Sequence, residues 1–557
     1  MTHTETTADS AAVRVDTARV SRIALWLMLI IGAALWVGPA VLRPDIFDGD
    51  SAHHVFWLYR YADPALFLND LSAQYLRTSA PLGYRAMAAG IAPFFDLLST
   101  LEVLSAGLFV LSGWLAWKLG TALEGPGREM RGLLAVLGLY VMQWLSWHTD
   151  LLPAMAFQRT FALPLLLLCL WALITRSYAW VGISWVLSGL FYPVVLPVQG
   201  LTAGCVFLRD LIVERKMPQH WALNGALAVI ALALAIFGVP KIGELGPAAT
   251  YTQAVAMPEF GPGGRLDLYG PGAGTLGSYF WHPMTGLGWS PRFLLAIVAF
   301  AAAAFVLKQR RLVPFAAWAM LGVGLALWAA LRLFPDVLMF GLYLPNRHSR
   351  WATAAFGIIA FSAGGFAIIQ ALVARARGMT TESATYALSL AAPVLAAAML
   401  LPHALGVMSK PYDADLEKTY AFIAGLPKNT LLAAYPDLAN YIPVRTRRRV
   451  LASSETSMPW MIQYYSIMRP RLEAELRAAY ATDIAEMDRQ MAPYGADVFV
   501  VGPQAYSATG YLEPFNRLAT ELIARGHQKG FALRVPPADR VLFQSGEYFV
   551  IQVHKPQ

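Results

Sequence analysis

The stretch "RPDIFDGDSAHHVFW", Arg43 to Trp57, places Asp45, Asp48, Asp50, His53 and His54 directly behind the first long apolar run of the chain. A carboxylate at a boundary between water and an apolar phase can act as a general base on a hydroxyl, because partial desolvation lifts its pKa toward neutrality. An aspartate before Ser51 could equally cap a helix that starts there, but a cap needs one acid and three are present. At least one of the three is therefore expected to do chemistry. His53, Trp57 and Arg60 follow at i, i+4 and i+7, so a helix would line them along one stripe with His54 and Tyr61 beside it. That stripe can contact a substrate, or it can be an interfacial helix anchored by Trp57 and a snorkelling Arg60.

Three further sites carry charge where charge is costly. In "WHTD", His148 and Asp150 form a polar turn that could share a divalent cation, Mg or Mn, or simply keep the turn soluble. Arg159 lies about two helical turns inside an expected span; at that depth a guanidinium should face protein, water or an anion. In "GLYLPNRHSRW", Arg347, His348 and Arg350 come just before another span. Arginine forks match phosphate oxygens, so this pair suits the headgroup of a phosphate-bearing lipid.

The elements that must hold these residues are membrane helices. Of 557 residues 57% are hydrophobic and only 14% charged, with a mean hydropathy of +0.48, far from the mix of soluble domains. Apolar runs long enough to cross a hydrocarbon core of about 30 Å recur along most of the chain. They are Ile23–Leu42, Leu97–Leu119, Arg131–Trp147, Pro153–Ile174, Ala179–Val195, Leu196–Leu208, Trp221–Pro240, Phe293–Leu307, Val313–Leu331, Trp351–Val373 and Tyr386–Leu405, about eleven spans. The two prolines of "FYPVVLP" split what would otherwise be one overlong helix at Ala179–Leu208. With two crossings there, every basic loop falls on one side, which assigns that side to the cytoplasm. The formal charge of +8 reports this topology rather than a nucleic-acid partner. Cys169 and Cys205 fall inside spans, so no disulfide framework or CxxC metal knuckle is expected.

The expected organisation is a cytoplasmic tail over 1–22, a bundle over 23–405 with external loops 43–93 and 241–292, and an exported α/β domain over 406–557. In that last part "TLLAAY", "RRVLASSE" and "DVFVVG" read as short buried strands, and "VLFQSGEYFVIQV" as a closing hairpin. The long glycine-rich loop, with Tyr279, Trp281 and His282, is a candidate lid. All the unusual polar groups share the exported face.

This arrangement resembles the GT-C superfamily of polytopic glycosyltransferases. The segment "FDGDSAHHVFWLYRYAD" is similar to the acidic motif in that family's first external loop and points to Asp48 or Asp50 rather than Asp45. The turn "HTD" resembles the second acidic motif, with His148 and Asp150 in its places, and "LLAAYPDLANYIPVRTRRRVLASSE" and "YGADVFVVG" look like the family's exported domain. The resemblance implies a multi-pass protein of a bacterial inner membrane, N-terminus cytoplasmic and C-terminal domain periplasmic or extracellular. It implies an inverting transfer of sugar from a polyprenyl-phosphate donor to an envelope glycan, lipid or protein. Asp48 or Asp50 would be the base; His53, His54, Arg60, Arg159, Arg347, His348 and Arg350 would contact substrate. Two other classes fit parts of the pattern: a transporter or flippase for a lipid-linked or anionic substrate, since charges inside spans also mark pathways, and a non-catalytic scaffold. Polar groups gathered on one side favour the enzyme over the transporter.

Overall fold

A computed structural model of the chain describes residues 16–47, 49–123, 125–145, 151–217, 219–238, 245–266, 291–306, 315–338, 341–507 and 511–554. Among them, eleven apolar helices build the bundle. They are α1 Thr17–Trp36, α2 Leu97–Ala122, α3 Arg128–Leu145, α4 Ala162–Ile174, α5 Tyr178–Phe191, α6 Leu196–Val213, α7 Trp221–Phe237, α8 Pro291–Val306, α9 Phe315–Leu333, α10 Asn346–Arg375 and α11 Thr381–Met408. Six stretches, five of these helices and the turn-plus-helix Pro193–Val213, are long and apolar enough by themselves to cross a bilayer. The chain is a multi-pass membrane protein.

Contacts at the helix ends fix the topology. Ser21 and Ser389 share a hydrogen bond of 2.9 Å and the Trp36 ring stacks on His403 at 3.8 Å, so α1 and α11 run parallel. At the start of α5, Arg176 reaches Asp210 and Glu214 at the end of α6, and the Tyr178 hydroxyl donates to Asp210 at 2.6 Å. The ends of α5 and α6 remote from the proline turn therefore meet, and Ala179–Leu208 is a helical hairpin rather than one long helix.

One expected span departs from the helix it was assigned. Pro153–Ile174 does not begin as a helix; Leu151–Phe157 is irregular, Gln158–Phe161 is a 3-10 turn, and α4 starts only at Ala162. Non-helical backbone is tolerated at such a depth only where the protein satisfies it. The Leu152 amide donates to Gln143 Oε1 at 3.0 Å and its carbonyl accepts from Trp36 Nε1 at 2.7 Å. Ala156 N donates to the Leu101 carbonyl at 3.1 Å, and the Thr160 hydroxyl takes the Phe157 N–H at 3.1 Å.

Beyond α11 the chain forms a five-stranded sheet, order β2-β1-β3-β5-β4, from β1 Leu431–Ala434, β2 Arg449–Val450, β3 Val498–Val501, β4 Val541–Ser545 and β5 Tyr548–Gln552. The two central strands of the parallel part, "LLAA" and "VFVV", are apolar throughout because helices cover both faces. β5 pairs antiparallel with β3 and β4. The domain sits on the loops that follow α1 and α7. Ser72 meets Thr456 at 3.1 Å, Tyr75 stacks on Tyr464 at 4.7 Å, Arg447 lies over the Tyr59 ring, and Ala249 N donates to the Trp460 carbonyl at 2.6 Å.

Candidate functional site

After α1 the chain turns through Gly38–Leu42 and enters a short helix, Gly49–Val55, continued by a 3-10 turn over Phe56–Tyr61. Asp45 is held by Arg43, with Arg43 Nη2 2.6 Å from Asp45 Oδ2, and so belongs to the connection rather than to the site. Asp50 stands in the first turn of the short helix and forms an ion pair with Arg159. The late start of α4 produces that pair: Arg159 was expected two turns inside a span, but the irregular segment before it brings it to the mouth of the bundle.

Burial alone would push the Asp50 carboxyl up. The charge of Arg159, then His54, then the Arg159 hydrogen bond and the charge of Arg347, outweigh burial and hold it well below the usual carboxylate range. Asp50, its side chain 32% exposed, is thus an anion held by neighbouring cations. His54 stacks on Phe157 at 5.0 Å with the planes 6° apart, and Arg159 lies over the same ring at 4.9 Å. Burial lowers both His53 and His54 to about 4, so both are neutral at pH 7. His53 is buried and its Nε2 lies 3.7 Å from Glu455 Oε2 in the C-terminal domain.

The stripe His53, Trp57, Arg60 is not an interfacial one: His53 and Trp57 are buried, and the Trp57 indole N–H donates to the His54 carbonyl at 2.9 Å. Arg60, on the 3-10 turn, is partly exposed and is not among the charges acting on Asp50, His53 or His54.

Arg347, His348 and Arg350 lie within the first turns of α10 rather than ahead of it, and all three are buried. Arg347 sits 5.9 Å from both the Tyr343 and Trp351 rings. Its Nε and Nη1 have no hydrogen-bond partner among the described residues. Tyr192, whose ring packs edge-on against Trp351 at 5.6 Å, lies within the electrostatic reach of Arg159, Arg347 and Arg350. His348 is held by the Leu342 carbonyl, 2.8 Å from its Nε2. It also borders an apolar groove of about 600 Å³ between α5, α6 and α7, walled by Trp185, Leu196, Leu232 and Ile236, with Tyr343 at the same end. The first turn of α10, which also carries Arg347, thus borders the groove through His348.

Asp48, His148, Asp150, Tyr279, Trp281 and His282 lie outside the described residues. Among the described residues no three His, Cys, Asp or Glu side chains gather as a metal site; beside Arg159, the Asp50 carboxylate is already matched by a cation.

Sequence reasoning did not single out Phe157, Tyr192, Arg265 or Glu455. Arg265, in the loop after α7, donates to Glu455 Oε2 at 2.8 Å and to the carbonyls of Ser454, Glu455 and Ser457. These residues come from four separate parts of the chain and have no shared spacing that could have revealed them.

No protein-family model matches the sequence, and no curated protein matches it. The chain is similar to several solved structures. The archaeal oligosaccharyltransferase AglB of Archaeoglobus fulgidus, in complex with an inhibitory peptide and a dolichol-phosphate, matches 87% of this chain and 69% of its own, with 10% identity and a TM-score of 0.45. The same organism's oligosaccharyltransferase in complex with Zn and sulfate matches 87% and 68%, with 10% identity and a TM-score of 0.46. ArnT of Cupriavidus metallidurans, bound to undecaprenyl phosphate, matches 97% of this chain and 99% of its own, with 13% identity and a TM-score of 0.43.

Proposed function

We propose that the protein is a membrane glycosyltransferase of GT-C type that takes a sugar from a polyprenyl-phosphate carrier and delivers it to an envelope acceptor on the face that bears the C-terminal domain. The observation that carries this reading is the ion pair of Asp50 with Arg159, with Arg347 among the charges acting on Asp50 and His348, on the same first turn of α10 as Arg347, lining the apolar groove. A polyprenyl tail matches the trough, and its phosphate matches the guanidinium edge of Arg347 that has no partner among the described residues.

Donor binding would also alter Asp50. A phosphate arriving at Arg347 and Arg159 competes for the charge that holds the Asp50 carboxyl low, so the carboxylate becomes a better base as the donor seats. The acceptor oxygen then attacks the anomeric carbon, its proton passes to Asp50, and the bond from that carbon to the phosphate oxygen breaks. The leaving phosphate is already an anion and needs no general acid; Arg159, Arg347 and the first turn of α10 stabilise its growing charge. His53 and His54, neutral at pH 7, can orient substrate by hydrogen bonding. If His148 and Asp150 bind a Mg or Mn ion, that ion supplies further charge for the phosphate.

The test is an Asp50→Asn variant reconstituted with lipid-linked sugars extracted from native membranes. Transfer to envelope glycans should fall by about 100-fold or more while the protein remains folded. Undiminished transfer would end the reading, and intact glycans with altered movement of the lipid across the bilayer would favour a flippase.

A further inference from the structure

The parallel part of the sheet has its own crevice. From β1 the chain moves to β2 on one flank, then returns past β1 to β3 on the other. At such a reversal a crevice opens outside the carboxyl ends of the strands, where α/β sheets bind ligands. A cavity of about 220 Å³ lies there. Asp437 follows β1, Glu455 follows β2 and Tyr511 follows β3, and Glu259 and Arg265 from the loop after α7 close it from the bundle side.

Its lining has a definite chemistry. Four carboxylates, Glu259, Asp437, Glu455 and Glu513, face a single arginine. That Arg265 is already committed to Glu455 and to three backbone carbonyls. Glu259 is 1% exposed; its neighbours are the Arg469 guanidinium, with Nη1 at 3.3 Å, and the Tyr465 hydroxyl, and among the described residues neither carboxylate oxygen has a hydrogen bond of good geometry. Asp437, exposed at the mouth, accepts from the Ser454 hydroxyl at 3.1 Å. Tyr465, Tyr511 and Phe515 supply ring faces, and Tyr511 is fixed by donating to the Tyr435 hydroxyl at 2.7 Å. Carboxylates are acceptors only, so they suit a ligand rich in O–H or N–H donors, while ring faces pack on the C–H faces of a sugar. An acidic ligand would be repelled.

Position ties this cavity to the reaction. Glu455, which lines it, also faces His53 at 3.7 Å, and His53 interacts with Asp50. We infer that the cavity is the acceptor subsite and that it takes a neutral or amino sugar at the end of a glycan, to the exclusion of acidic sugars. This deepens the glycosyltransferase reading and rests on it.

The test uses the full-length protein in lipid nanodiscs and saturation-transfer NMR with neutral trisaccharides of glucose and mannose, against trigalacturonate as the acidic counterpart. A neutral trisaccharide should bind and trigalacturonate should not. Glu259→Gln and Asp437→Asn should each weaken that binding about tenfold, the loss of one hydrogen bond to a charged acceptor. Because Glu259 is buried beside Arg469, the exposed Asp437 provides the variant least exposed to a folding defect. Asp50→Asn should bind sugar like the wild type while losing transfer. Equal binding of the acidic sugar, absence of any sugar binding, or binding indifferent to both cavity variants overturns the acceptor subsite, whatever Asp50→Asn does. Conversely, sugar binding with transfer undisturbed by Asp50→Asn overturns the catalytic reading and not the subsite.

Discussion

Asp50 keeps its charge against burial because Arg159 and Arg347 lie close to it, and the two neighbouring histidines lose theirs because nothing compensates their burial sufficiently. These opposite outcomes have a common consequence for stability. In the unfolded chain the histidines bind protons near pH 6.5, and in the folded protein only near 4. Between those values the unfolded form holds more protons, so stability falls as pH drops through that window. Asp50 acts in the same direction lower down: its contribution is present above the ordinary carboxylate pKa and is lost as pH falls through its depressed one. The thermal midpoint of the wild type should therefore decline from pH 6.5 to 4, and replacing both histidines by glutamine should flatten that part of the curve. A midpoint constant over the range would contradict the burial seen here. At Arg347, alanine should weaken binding of undecaprenyl phosphate about tenfold or more, with lysine restoring part of it, because a point charge replaces a fork; equilibrium binding in detergent measures this.

At the scale of elements, two departures from regular helix make the site. The irregular Leu151–Phe157 segment lets Arg159 reach Asp50, and the proline turn between α5 and α6 reverses the chain beside the groove. Close packing of α5 on α7 forms a wall of that groove: a Cβ on Gly189 would meet the Ala231 carbonyl oxygen at 2.7 Å. The reversal is directly measurable. With Cys169 and Cys205 replaced, single cysteines at Ser177 and Lys216 should react with a membrane-impermeant thiol reagent from the same side, and one at Val194 from the other. Labelling of Ser177 and Lys216 from opposite sides would mean a single crossing.

At the scale of the whole molecule, the C-terminal domain is part of the site, since Glu455 reaches His53 and Arg265 clamps the loop that carries Glu455. The Ser72 and Thr456 hydroxyls, 3.1 Å apart and buried, mark the seam between loop and domain. Cysteines at both positions, in a background free of other cysteines, should form a disulfide spontaneously and leave transfer intact if the domain stays docked through turnover. Loss of transfer that returns on reduction would show that the domain must separate.

The amino-acid sequence by itself determined the membrane bundle, its eleven helices and the strands beyond it. Those features follow from apolar length and local periodicity, which each segment carries alone. The start of α4 was not legible, because side chains from α1 and α3 and a backbone carbonyl of α2 satisfy its unwound backbone. The partnership of Asp50 with Arg159, the placing of Arg347 between the Tyr343 and Trp351 rings, and the meeting of Arg265, Glu455 and His53 were decided only in three dimensions. Each joins residues far apart in the chain, and no local preference records which distant charge a buried carboxylate will find.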